Sequence, residues 1–142
     1  MNEYKIQNGV MDWTNQNIKK YPELINLFPV KINEATKNFI LEIPNLFLAS
    51  PHGAYSGLFI EMKIKPNKPT AKQLEVMSNL IEQNYAVHVC YSADAAIEVI
   101  TDYLRGKQWN QQELLDWISW KNINQVESTD FDWLENVNNK NK

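Results

Sequence analysis

Residues 43–63 read Ile43-Pro44-Asn45-Leu46-Phe47-Leu48-Ala49-Ser50-Pro51-His52-Gly53-Ala54-Tyr55-Ser56-Gly57-Leu58-Phe59-Ile60-Glu61-Met62-Lys63, two apolar runs around a turn-forming segment. Pro44 disfavours helix at Ile43 and introduces an extended run over residues 45–49. Ser50-Pro51-His52-Gly53 and Ser56-Gly57 supply turn chemistry, so the stretch predicts a β-hairpin whose second strand covers residues 57–63. Strand side chains alternate between faces, which puts Leu58, Ile60 and Met62 on one side and Phe59, Glu61 and Lys63 on the other. An apolar strand that aims a glutamate and a lysine in the same direction marks a candidate site.

C-terminal to the hairpin, residues 66–69 form a loop and Thr70 is an N-cap for a helix with Leu74, Met77, Leu80 and Ile81 on one face. Asn84 stops that helix, and residues 85–90 form a strand with Ala86, His88 and Cys90 opposite Val87 and Val89. Ser92 caps a further helix with an apolar face of Ala95, Ile97, Val99, Ile100 and Leu104, ended by Gly106. Strand, helix, strand, helix in this order predicts an α/β fold. A right-handed crossover would join a mixed sheet of about three to five strands, flanked by helices on both sides.

N-terminal to the hairpin, Ile6, Val10, Trp13 and Ile18 recur at helical spacing and predict a helix over residues 3–18. Tyr21-Pro22 interrupts it, residues 23–28 read as a short helical turn, and residues 31–42 as an irregular or partly helical connector. Beyond Gly106, Asn110 with Glu113 resembles a capping box that opens a helix through Trp120. The expected organisation is a domain over residues 1–106 and a helical, acidic extension over residues 107–142.

A chain of 142 residues with 44% hydrophobic and 11% aromatic residues can bury a core without a structural metal. Its apolar runs are strand-sized and fall far short of the roughly 20 residues of a membrane span. MNEYKIQNG has neither a basic nor an apolar signal region, and Cys90 as the one cysteine excludes an internal disulfide and a thiolate zinc cluster. These features predict a cytoplasmic protein.

The net charge of −3 hides an uneven distribution. Lys63, Lys65, Lys68 and Lys72 cluster after the Glu61-Met62-Lys63 triplet, in a position suited to a phosphate backbone. From Glu113 to Glu135 the sign reverses, with Asp116, Glu127, Asp130 and Asp132 against Lys121.

A metal-dependent nuclease needs carboxylates to hold a divalent cation, and a lysine that orients water or stabilises developing charge. A Glu-x-Lys triplet is common, and alone carries little weight. Its surroundings carry more. Ile43-Pro44-Asn45-Leu46-Phe47-Leu48, Gly57 through Lys63, Pro69-Thr70-Ala71-Lys72-Gln73, Asn84 through Cys90 and Ser92 through Ile97 together closely resemble the VRR-NUC branch of the PD-(D/E)XK nucleases. The resemblance extends to Glu3, Ile6, Gln7 and Trp13, and to Tyr21-Pro22-Glu23-Leu24, so it covers residues 3–106. It implies that Glu61 is a metal-binding carboxylate, Lys63 the catalytic lysine and Gln73 a support for phosphate or water. Glu3 would be an outer ligand from the first helix. It further implies Mg²⁺ or Mn²⁺ as cofactor and DNA as substrate, with a likeness to small, dimeric phage enzymes that act on branched DNA.

Two departures stand out. Where the family has Pro-Asp, this chain has Pro44-Asn45, and a neutral amide is a weaker ligand for a hard cation than a carboxylate. The family's Asn-Gly-Gly segment is also not recognisable in residues 30–42. The expected function is therefore that of a nuclease-derived protein, its cleavage weakened or abolished by Asn45. The alternative is a catalytically inactive phage protein that binds and inhibits a host defence complex in the manner of an anti-CRISPR. The tryptophans Trp109, Trp117, Trp120 and Trp133, all after Gly106, suit such a protein partner. Other candidates read as structural. His52 is a solvated turn residue, His88 is a core or sheet-face histidine, neither has a second ligand at metal spacing, and Ser50 and Ser56 lack a nucleophile-elbow setting.

Overall fold

The structure, a computed structural model, describes residues 2–30, 43–112 and 114–116. Helix α1 spans Glu3–Asn17, with the Asn2 side chain accepting from Lys5 N–H at 2.9 Å to cap it. A 3₁₀ turn over Pro22–Asn26 leads into strand β1, Leu27–Pro29. Strands β2, Leu46–Leu48, and β3, Leu58–Met62, follow, then helix α2, Ala71–Glu82. Strand β4, Ala86–Cys90, and helix α3, Ala93–Leu104, complete the order.

The sheet order is β1-β2-β3-β4. The hairpin forms as its residues dictate: β2 and β3 are antiparallel, with Leu46 opposite Ile60, Phe47 opposite Phe59 and Leu48 opposite Leu58. The Phe47 and Phe59 rings stack with centroids 4.3 Å apart. Gly57 is required at the turn into β3, because a Cβ there would lie 2.9 Å from the Leu48 carbonyl oxygen. β4 pairs parallel with β3 across the α2 crossover, so the sheet is mixed as expected.

Alternation sorts the side chains into two cores. Leu58, Ile60, Met62, Ala86 and Cys90 face α1 and α3, where they meet Ile6, Val10, Ala96, Val99, Ile100 and Tyr103. Phe59, Val87 and Val89 face α2 and pack with Leu74, Met77 and Ile81. Burial of each large aliphatic side chain contributes about 1.5–3 kcal/mol, so two filled faces hold the sheet between helical layers.

Several expectations need correction. Residues 23–28 do not form one helical turn: Leu27 and Phe28 belong to β1, paired antiparallel with Leu48 and Phe47. The inward face of α3 is Ala96, Val99, Ile100 and Tyr103, one step round from Ala95, Ile97 and Leu104. His52 is not simply solvated; its ring lies edge-on to Tyr103 at 5.1 Å and 3.9 Å from the Glu23 carboxylate. His88 needs no such correction: read as a core or sheet-face residue, it is buried in β4 against Trp109, with ring centroids 4.5 Å apart. The connector at residues 31–42 and the segment from Trp117 onward, including Trp120 and Trp133, lie outside the described residues.

Past Gly106, Trp109 and Leu114 are buried, one in each core. The Tyr55 hydroxyl accepts from Trp109 N–H at 2.7 Å and donates to the Trp109 carbonyl at 3.1 Å. Tyr103 O–H donates to the Ser50 carbonyl at 2.7 Å, tying α3 to the hairpin loop.

Candidate functional site

The end of β3 carries the residues singled out by sequence. Glu61 is only 3% exposed, although Phe59, Val87 and Val89 on that face of the sheet are apolar. A buried carboxylate requires polar company, and α2 provides it. Thr70 Oγ1 accepts from Gln73 N–H at 3.1 Å while Gln73 Oε1 accepts from Thr70 N–H at 2.9 Å, a reciprocal capping box. With its oxygen held by the cap, Gln73 turns its Nε2 toward Glu61 Oε1 at 3.4 Å. The helix start thus sets the orientation of the amide that meets the carboxylate.

Lys63 lies just beyond β3. Its main-chain N–H donates to the Cys90 carbonyl at 3.0 Å, continuing the parallel ladder. Its side chain is 11% exposed, and the ammonium stands 3.9 Å from Glu3 Oε1 in the first turn of α1. The first helix and β3 therefore meet at this ion pair. On the far side of the β3–α2 loop, Lys72 pairs with Glu75 at 3.7 Å, and Lys65 Nζ lies 5.7 Å from the centre of the Tyr91 ring.

Asn45 adjoins the start of β2. It directly precedes Leu46, which pairs with Ile60 on the adjoining strand. Its main-chain carbonyl accepts from Val30 N–H at 2.7 Å, and its side-chain Oδ1 accepts from Met62 N–H at 2.7 Å. That second bond fixes which end of the amide is which, since only the oxygen can take an N–H. The remaining polar arm of Asn45 is an NH₂ group, a donor that repels cations.

No protein-family profile matches the chain, and no curated protein does. Among solved structures it is similar to one described as "VRR_NUC domain protein", at a TM-score of 0.65 and 26% identity, over 78% of this chain and 93% of that one. The fold is VRR-NUC-like. This likeness supports nuclease-family ancestry.

VRR-NUC nucleases are generally metal-dependent. Mg²⁺ and Mn²⁺ take oxygen ligands, mostly carboxylates. Here the Asn45 oxygen is occupied by Met62 N–H, Glu3 is paired with Lys63, and Gln73 donates to Glu61. Among the described residues no group of three or more His, Cys, Asp or Glu side chains is placed to hold a metal ion. The set as arranged does not fit the cation that the fold implies. Among the described residues no helix is long and apolar enough to cross a membrane.

Sequence reasoning did not foresee that Gln73 would serve the helix cap and Glu61 together, although Thr-x-x-Gln is a recognisable capping-box pattern. Nor did it foresee the Met62 N–H bond to Asn45, for which no sequence signal exists.

Proposed function

We propose that this chain is a DNA-binding protein of nuclease ancestry whose phosphodiester-cleaving activity is weakened or lost through Asn45. One observation carries the reading: the 2.7 Å bond that commits Asn45 Oδ1 to the N–H of Met62, the residue after Glu61. An aspartate there could accept the same N–H with one oxygen and keep a second, charged oxygen for Mg²⁺ or Mn²⁺. Asparagine has no second oxygen. Glu61, Lys63 and Gln73 are the retained catalytic constellation in this reading, and Glu3 is an outer group acting through Lys63. The lysines at 63, 65, 68 and 72 cluster in sequence around the β3–α2 loop, and the positive charge there suits DNA phosphates, branched DNA included.

A second reading draws on the acidic, tryptophan-containing segment after Gln112, which would deter DNA nearby and suit a basic protein surface. In that case the chain is a catalytically inactive, phage-encoded inhibitor of a host defence complex.

Mg²⁺ and Mn²⁺ titrations with branched and linear DNA, on this chain and on Asn45→Asp, test the proposal. Restoring an anionic ligand contributes several kcal/mol to transition-state stabilisation, so Asn45→Asp should cleave at least about a hundredfold faster. Equal cleavage by both proteins overturns the proposal. Absence of cleavage by both, with tight capture of a protein partner, favours the inhibitor.

A further inference from the structure

Among the described residues β4 is the last strand of the sheet order, with β3 on one side of it. Ala86 N–H donates to the Gly57 carbonyl on the β3 side at 3.0 Å. Main-chain groups alternate sides along a strand, so Tyr85 C=O and Val87 N–H face outward. Both are occupied by one side chain. Gln111 Oε1 accepts from Val87 N–H at 2.8 Å, and Gln111 Nε2 donates to the Tyr85 carbonyl at 2.9 Å. A residue of a parallel neighbouring strand would bond the same two groups, a carbonyl and the N–H two residues on.

The segment that presents Gln111 straddles the edge. Trp109 packs in the core on the α1/α3 face of the sheet and Leu114 in the core on the α2 face, with Gln111 between them. The strand it covers is hazardous if bare. Residues 85–91, Tyr-Ala-Val-His-Val-Cys-Tyr, contain no Pro, no Gly and no carboxylate, lysine or arginine. Uncharged, β-prone edges of this kind template pairing with identical chains.

We propose that Gln111 is a surrogate strand residue, whose carboxamide closes the β4 edge against strand addition by a second copy of this chain. Any homodimer then forms through another surface.

Amide hydrogen exchange and sedimentation velocity on the full chain test this, with Gln111→Met retaining length while removing both polar groups. Loss of the Gln111 bond should speed Val87 exchange about tenfold and leave Ala86 and His88 within about twofold. Gln111→Met should also self-associate at concentrations where the parent does not, and Gln111→Glu, which puts a charge on the edge, should not. Unchanged Val87 exchange, or equal association of parent and Gln111→Met, overturns the proposal. A measurement on the parent alone covers the case in which Gln111→Met fails to fold. Val87 should exchange within about tenfold of Ala86, and exchange as rapid as an uncovered edge amide overturns the proposal equally.

Discussion

Replacing Asn45 by aspartate should destabilise the protein in the absence of metal and make its stability metal-dependent. The substituted side chain can keep the bond from Met62 N–H now made at 2.7 Å, so the strands need not move. What changes is charge. Extending the β2–β3 register one residue past Leu46–Ile60 would set position 45 across from Glu61, and opposing residues of antiparallel strands have Cβ atoms about 5 Å apart. Two ionised carboxylates at about 5 Å repel by roughly 3 kcal/mol at an effective dielectric of about 20. For a chain of this length that corresponds to a fall in Tm of roughly 10 °C. Thermal unfolding by circular dichroism, in EDTA at neutral pH, reads the effect directly. One further arm identifies its cause. Millimolar Mn²⁺ should raise the Tm of Asn45→Asp while leaving the parent nearly unmoved, because a cation between two carboxylates replaces repulsion with attraction. A Tm within about 2 °C of the parent in EDTA, or an equal response of both proteins to Mn²⁺, would refute the placement of these two side chains at one site.

Tyr103 is fully buried, and burial pushes its hydroxyl pKa up to about 12; burial raises that of Tyr55 as well. Below the ordinary tyrosine range both folded and unfolded chains are protonated and stability is unaffected. As pH rises from about 10 toward 12 only the unfolded chain ionises, so stability should fall across that window. Chemical denaturation at several pH values should show a shallower fall for Tyr103→Phe, which also loses about 1–3 kcal/mol at neutral pH through the undonated Ser50 carbonyl. Thr70→Ala removes the cap of α2 and should cost about 1 kcal/mol in urea unfolding. Thr70→Ser, which keeps the accepting oxygen, should stay near the parent.

The stretch from the hairpin to α3 was legible because its signals are local. Pro44 and Gly57 mark boundaries through their backbone chemistry and Thr70 and Ser92 through their capping hydroxyls, and alternation in β3 and β4 assigned both faces correctly. β1 was not legible: three residues are too few to show a period of two, and Pro22 gives the neighbourhood a helical look. The rotation of the α3 face has a similar origin. Ala96, Val99, Ile100 and Tyr103 keep perfect helical spacing, but a small alanine and a hydroxyl-bearing tyrosine are easily passed over for Ile97 and Leu104. At the site, the resemblance supplied Glu61, Lys63, Gln73, Asn45 and Glu3 as candidates, while their partners depend on distant segments. The Met62 bond to Asn45 spans 17 residues and the Gln111 bonds to β4 span 24 and 26. Such contacts are set by tertiary geometry, and no window of sequence contains both ends.

The doubly bonded hydroxyl of Tyr55 has a consequence for how this chain is closed. Its two partners are the N–H and C=O of a single residue, Trp109, 54 positions away. A chain with one cysteine has no disulfide to fasten Trp109 to its central loop, and here a phenol acts as a reversible clasp. Neither oxidants nor reductants can open it, and phenylalanine, otherwise the gentlest replacement, would strand both main-chain groups at once.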